Sequence, residues 1–279
     1  MKKLINKYLP LAYGAYFNTL AIFSGKRAAQ KAFILFCTPR KGRILPSQQS
    51  FLSAAEHKVE QFGTHQIQTY RWPGHKETIL LLHGWESNSF RWHKLIGFLQ
   101  KEDYNIIAID APAHGKSSGK ILTAPLYTEW IHHVVQEYLP DYMVAHSFGG
   151  MAALYQQYKY PDKTLKKIVT IGSPSELSEF MSQYKKILKY NSTVTAALDD
   201  YIMDTFGFRP NDFSTAAFAR GISTPGLLIH DELDTVTPVI SSERVHANWK
   251  NSRLIKTKGL GHSMHQEKVN KHIIDFLKS

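Results

Sequence analysis

Thr78-Ile79-Leu80-Leu81-Leu82 stays apolar without a break after its first residue. A strand with no polar face has to be buried on both sides, as in a parallel sheet covered by helices. Strand-length runs recur at residues 105–110, 142–146, 167–171, 224–230 and 253–258. Between them the apolar residues shift to helical spacing, as at Trp92, Leu95, Ile96 and Leu99, and again at Tyr127, Trp130, Ile131, Val134 and Tyr138. Strand and helix in alternation predict an α/β fold with a mostly parallel central sheet and helices on both faces. Upstream, Val59, Phe62, Ile67, Tyr70 and Trp72 alternate around Gly63, the pattern of an antiparallel hairpin.

The 142–146 run leads directly into Ser147-Phe148-Gly149-Gly150 and then into the helix-like Met151-Ala152-Ala153-Leu154-Tyr155. A serine on so tight a strand-to-helix turn has its hydroxyl exposed, and Ala145 and Gly149 are small where the backbone segments crowd. The stretch resembles the nucleophile elbow of the α/β-hydrolase superfamily, with Ala145 where Gly-X-Ser-X-Gly has its first glycine. Other segments of residues 56–279 carry the same resemblance. Asp110-Ala111-Pro112-Ala113-His114-Gly115-Lys116-Ser117 is similar to the superfamily's Asp-X-X-Gly-His-Gly-X-Ser loop, with Ala113 for the first glycine. Asp234-Thr235-Val236-Thr237-Pro238 follows a strand and has the spelling of the family's acid turn, which selects Asp234 over Asp231 and Glu232. His262, on a loop flanked by Gly259 and Gly261, is the expected base; His265 is the competing choice and lacks the preceding glycine. Ser147, Asp234 and His262 occur in the superfamily's order. The resemblance further implies that His83-Gly84-Trp85 places the Trp85 amide, together with the Phe148 amide, as donors to an oxyanion. It also implies that His83 holds its loop rather than moving protons.

These residues lead to the expectation of a serine hydrolase cleaving a carboxylic ester through an acyl-enzyme, without cofactor or metal. A thioesterase or a carbon–carbon bond hydrolase would use the same triad, and a non-catalytic membrane-associated scaffold is the rival from another class. Gly115-Lys116-Ser117 does not make a phosphate loop, because Asp110 stands where the first glycine belongs and Pro112 intrudes. His132 and His133 are adjacent and point apart, which argues against a metal pair. The lone Cys37 excludes intramolecular disulfides and a cysteine-ligated zinc cluster.

Charge divides the chain unevenly. The net charge is +11, and Lys2, Lys3, Lys7, Lys26, Arg27, Lys31, Arg40, Lys41 and Arg43 precede the first acid, Glu56. The same end is rich in apolar and aromatic residues, but Lys7, Pro10 and Asn18 interrupt it, so it falls short of a clean transmembrane span of about 20 apolar residues. No Ala-X-Ala-like site follows to mark a signal peptide. Two readings stay open: helices lying in an anionic membrane interface, or helices packed on the core. No nucleic-acid-reading motif accompanies the cations. The expected layout is an N-terminal helical extension over 1–55, a hydrolase core over 56–173 and 223–279, and a helical cap over 174–222. In the cap, the stripes Leu177, Phe180, Met181, Tyr184 and Val194, Leu198, Ile202 present apolar faces. The partner expected is a small-molecule ester, and the location cytoplasmic, with possible peripheral contact at the inner membrane face. Oligomeric state is not legible.

Overall fold

The computed structural model describes residues 2–279, with side chains from Tyr8 onward, so Lys2, Lys3 and Lys7 of the basic segment lie outside the described side chains. In chain order the elements are α1 (Lys2–Phe23), α2 (Gly25–Cys37), α3 (Pro46–Ser53), β1 (Glu56–Phe62), β2 (His65–Trp72), β3 (Thr78–Leu82), α4 (His93–Lys101) and β4 (Asn105–Ile109). There follow α5 (Ala124–Tyr138), β5 (Tyr142–His146), α6 (Phe148–Lys159), β6 (Lys167–Ile171), α7 (Leu177–Leu188), α8 (Ser192–Phe206) and the short α9 (Thr215–Phe218). The chain closes with β7 (Gly226–Asp231), α10 (Ile240–Asn248), β8 (Ser252–Thr257) and α11 (Glu267–Lys278).

The eight strands form one sheet in the order β1-β2-β4-β3-β5-β6-β7-β8. β1, β2 and β4 pair antiparallel, and every pair from β4 to β8 is parallel. The period of two along β3 shows why its apolar run is unbroken. Ile79 and Leu81 pack on one face with Leu95 and Leu99 of α4 and Ile273 of α11, while Leu80 and Leu82 pack on the other with Trp130 and Val134 of α5 and Ala152 of α6. Parallel strands then deliver their carboxyl ends to one edge, where this class of sheet places ligands.

The chain divides into two compact units. The larger joins Pro39–Ser175 to Thr215–Ser279, and the smaller joins the chain up to Thr38 to Glu176–Ser214. Within the smaller unit, Phe33 of α2 packs on Tyr201 and Phe206 of α8 with centroids 5.4 and 5.6 Å apart. Tyr184 Oη of α7 donates to the Ala32 carbonyl at 2.8 Å, and the Asn191 N–H to Asn18 Oδ1 at 2.8 Å. The N-terminal helices and the inserted helices are thus one body. Its first segment ends at Thr38 rather than at 55, because the segment 46–53 belongs to the larger unit. That segment is α3, started by Pro46 in the first turn, with Leu52 buried in the core beside Tyr70 and Trp72.

Ser173, Pro174 and Glu176 have the spacing of a capping box with Pro at the first helical position, but no helix starts there. Here α7 begins only at Leu177, and Glu176 makes no side-chain cap. Residues 175–177 are instead held extended: the Thr215 N–H donates to the Ser175 carbonyl at 2.8 Å and the Leu177 N–H to the Phe213 carbonyl at 3.1 Å. Pairing with another chain segment has overridden the local cap signal.

Candidate active site

The site begins with a strained residue. Ser147 has φ 52° and ψ −126°, a conformation that costs a non-glycine residue about 1–3 kcal/mol and persists only where neighbours impose it. They do so here: the Ser147 N–H donates to the Ile171 carbonyl at 2.8 Å, and its own carbonyl accepts from the Gly150 and Met151 N–H groups at 2.9 and 3.3 Å. Gly149 lets α6 start this close to the end of β3, since a Cβ there would stand 2.5 Å from the His83 carbonyl oxygen and 2.6 Å from that of Leu82.

The turn aims Ser147 Oγ at His262 Nε2, 3.0 Å away, and His262 Nδ1 lies 2.7 Å from Asp234 Oδ2. An ionised carboxylate only accepts, so Nδ1 carries the proton and Nε2 offers its lone pair to the serine hydroxyl. The Asp234 side chain is fully buried. Burial alone would raise its carboxyl. Contact with His230 and His262 and the amides of Thr237 and Val236 outweigh it and hold the group far below the usual carboxylate range. Its Oδ1 accepts from the Val236 and Thr237 N–H groups at 2.8 and 3.0 Å, and Oδ2 from Thr237 Oγ1 at 3.0 Å.

The two competing candidates stand apart from this chain of bonds. Asp231 accepts from Leu233 N, Gly259 N, Leu260 N and Thr257 Oγ1 at 2.8–3.2 Å. It therefore ties the end of β7 to the start of the loop that carries His262. His265 bonds to neither Ser147 nor Asp234 among the described residues. Burial and the neighbouring Arg91, His93 and Lys94 charges pull its imidazole down to about 4.

Trp85 follows β3 and Phe148 opens α6, with their rings 6.2 Å apart in an edge-on arrangement. Gly84 brings the Trp85 loop against the serine, because a Cβ on it would fall 2.8 Å from Ser147 Cβ. The loop's shape comes from His83. The Ala111 N–H donates to its Nε2 at 2.9 Å, so Nδ1 holds the proton and donates to the Gly84 carbonyl at 2.8 Å. Full burial holds this imidazole neutral, well below its ordinary pKa. The 110–117 loop wraps the buried Asp110 carboxylate, which accepts from Tyr70 Oη, from the Ser89 amide and hydroxyl, and from the Lys116 amide at 2.8–2.9 Å. Of its backbone donors Lys116 serves that acid, while Ala113, His114, Gly115 and Ser117 donate to backbone carbonyls, so these amides form no phosphate loop. His132 stacks on Tyr160 at 3.8 Å and His133 packs on Phe62 at 5.5 Å, in separate contacts.

Three further residues belong to the arrangement. His146 Nε2 donates to the His262 carbonyl at 2.9 Å, fixing the backbone under the base. His230 Nε2 donates to the Thr237 carbonyl at 2.8 Å and lies 3.5 Å from Asp234 Oδ2. Thr237 Oγ1 bridges the Gly172 carbonyl and Asp234. In the sequence they read as a turn residue and strand-end residues. Only their positions one before the serine, and four before and three after the acid, hint at a role.

Residues 77–199 match a family model described as the alpha/beta hydrolase fold, and residues 208–279 match one described as TAP-like protein. The chain belongs to the α/β-hydrolase superfamily. Among its relatives, the bifunctional esterase/perhydrolase DCH of Acinetobacter calcoaceticus is 24% identical over 269 residues, spanning 74% of this chain and 94% of that protein. The mouse monoacylglycerol lipase ABHD6 is 24% identical over 261 residues, 74% of this chain and 77% of that one. Among solved structures, the ferulic acid complex of Est1E from Butyrivibrio proteoclasticus shares the fold with a TM-score of 0.67 at 18% identity, over 79% of this chain and 98% of that chain.

Proposed function

We propose that this hydrolase cleaves carboxylic esters with an apolar acyl group through an acyl-enzyme on Ser147. The observation that carries the reading is the unbroken run of bonds from Asp234 Oδ2 through His262 to Ser147 Oγ. As Oγ attacks the acyl carbon, His262 Nε2 takes its proton, and Asp234 keeps Nδ1 protonated and stabilises the imidazolium. The carbonyl oxygen becomes an oxyanion facing the Trp85 and Phe148 N–H groups; losing one such donor typically costs about 3 kcal/mol of transition-state stabilisation. Collapse expels the alcohol, which leaves with the proton from His262. A water then repeats the sequence on the acyl-enzyme and releases the acid. The esterase and lipase relatives support both the ester and the apolar acyl group. A series of p-nitrophenyl esters from acetate to palmitate tests it. Hydrolysis should be clear, with kcat/KM higher for a medium or long chain than for acetate. Preference for acetate would refute the apolar acyl group, and no hydrolysis across the series would refute the ester reading.

The reading includes peripheral docking on anionic membrane through α1. No helix among the described residues is long and apolar enough to cross a membrane. Yet the exposed positions of α1 from Leu9 onward (Leu9, Ala12, Ala15, Tyr16, Thr19, Ile22 and Phe23) include no charged residue. They fall within one arc of a 3.6-residue helix, and Ile22 and Phe23 are 80% and 82% exposed. The next helix, α2, exposes Lys26, Arg27 and Lys31. An apolar arc flanked by cations suits the interface of a bilayer with acidic headgroups.

A further inference from the structure

The loop over residues 40–45, the segment after Trp85 and the loop after His262 line an open cavity of about 610 Å³. Four cations line it, Arg40, Lys41, Arg43 and Arg91, against one acid, Glu86. None of the four pairs with a carboxylate side chain among the described residues, and Glu86 spends Oε1 on the Arg40 backbone N–H at 2.9 Å. Arg91 is the most constrained. Its Nη2 donates to the Ser263 carbonyl at 2.6 Å, its guanidinium lies 5.2 Å from the centre of the Trp92 ring, and its Nε is buried without a partner. An unmatched buried donor costs free energy, and the charge to which it belongs has no carboxylate to balance it.

The loop that carries the other three charges is fixed in place. The Gly115 N–H donates to the Gly42 carbonyl at 2.9 Å, and Arg43 Nη1 donates to the carbonyls of His114, Gly115 and Ser117 at 2.8–3.4 Å. The pinned backbone fixes where these side chains start, which removes part of the ordering that binding would otherwise require. Burial lowers the imidazole of His265 at the cavity wall, and Arg91, His93 and Lys94 add to that shift.

We infer that this cavity is a binding site for a phosphate-class oxyanion, either a group on the substrate ester or a free anion. A guanidinium fork and clustered cations match several acceptor oxygens at once, which a single carboxylate or halide does not supply. Glu86, Ser87 and Asn88 follow Trp85 in the chain and His265 follows His262, which makes an ester whose alcohol bears a phosphate one source of the anion; that substrate role rests on the hydrolase reading, the anion site itself does not.

Calorimetric titration of the full chain with inorganic pyrophosphate tests the site. Wild type should bind it, and Arg40→Gln/Lys41→Gln, which changes only exposed side chains, should weaken binding at least tenfold while hydrolysing p-nitrophenyl butyrate as wild type does. Equal binding by the two proteins, or none by wild type, overturns the site. Where binding holds, KM for 1-butyrylglycerol 3-phosphate identifies the source. A KM for that ester that is low in wild type and rises in the double variant assigns the anion to the substrate, and one that is the same in both assigns it to a free anion. Pyrophosphate binding by a protein that hydrolyses no ester would sustain the site and refute the hydrolase reading instead.

Discussion

Asp231 and Asp234 lie three residues apart and are both buried and hydrogen-bonded, but only one carboxylate touches the base. Asp234→Asn leaves an amide whose N–H₂ favours the wrong imidazole tautomer, and kcat should fall by orders of magnitude, about 10⁴-fold where the same change has been made in a serine-protease triad. Asp231→Asn turns one of the two acceptor oxygens that serve Leu233, Thr257, Gly259 and Leu260 into an N–H₂ donor, so it should cost about 1–3 kcal/mol of stability and much less in kcat of the folded protein. Steady-state kinetics on both variants, with urea unfolding alongside, should show this split; a reversed order would mean that Asp231 serves the base. The acid turn's spelling already separated these residues, because Val236 and Thr237 supply the amides that Asp234 needs. His146, His230 and Thr237 were not legible in that way. His146 and the Thr237 hydroxyl reach residues distant in sequence, the carbonyls of His262 and Gly172, and His230 bonds to Thr237 at a spacing that no motif spells.

The parallel strands were legible as elements because burial on both faces writes itself as unbroken apolar runs, and β3 is the clearest case. α3 was hidden because seven of its residues lie at the surface or only half-buried and only Leu52 is buried, so it carries no apolar stripe. The false cap at Ser173 shows the converse, a local signal overruled by pairing with 213–215. α1 exposes Ile22 and Phe23 on an uncharged arc, and its proposed docking role is checked by co-sedimentation. Wild type should bind vesicles rich in phosphatidylserine and not neutral ones, and Ile22→Ser/Phe23→Ser should lose most of that binding without change in hydrolysis of a soluble short ester. Binding that is equal for neutral and anionic vesicles would contradict the role, as would binding that is undiminished in the double variant.

Across the whole molecule, the alternation of strand and helix fixes the sheet and thereby the edge at which Ser147, Asp234 and His262 meet. The same packing buries His83, His114 and His146, each held below its ordinary pKa chiefly by burial. A lowered imidazole pKa means that the unfolded chain takes up a proton that the folded chain refuses. The stability is complete above about pH 6.5 and is lost as pH falls, by about 1.4 kcal/mol per pH unit for each such group. Asp234, also lowered, adds a second loss below about pH 4, as unfolded carboxylates protonate. Urea midpoints should therefore hold steady from pH 8 to 7 and drop between pH 6.5 and 5; a flat or rising curve there would contradict the burial of neutral imidazoles. The most direct measurement of the catalytic reading is labelling with a fluorophosphonate probe followed by peptide mapping. A single modified serine at Ser147 is expected, absent in Ser147→Ala and strongly slowed in His262→Ala, whereas equal labelling of wild type and Ser147→Ala would contradict it.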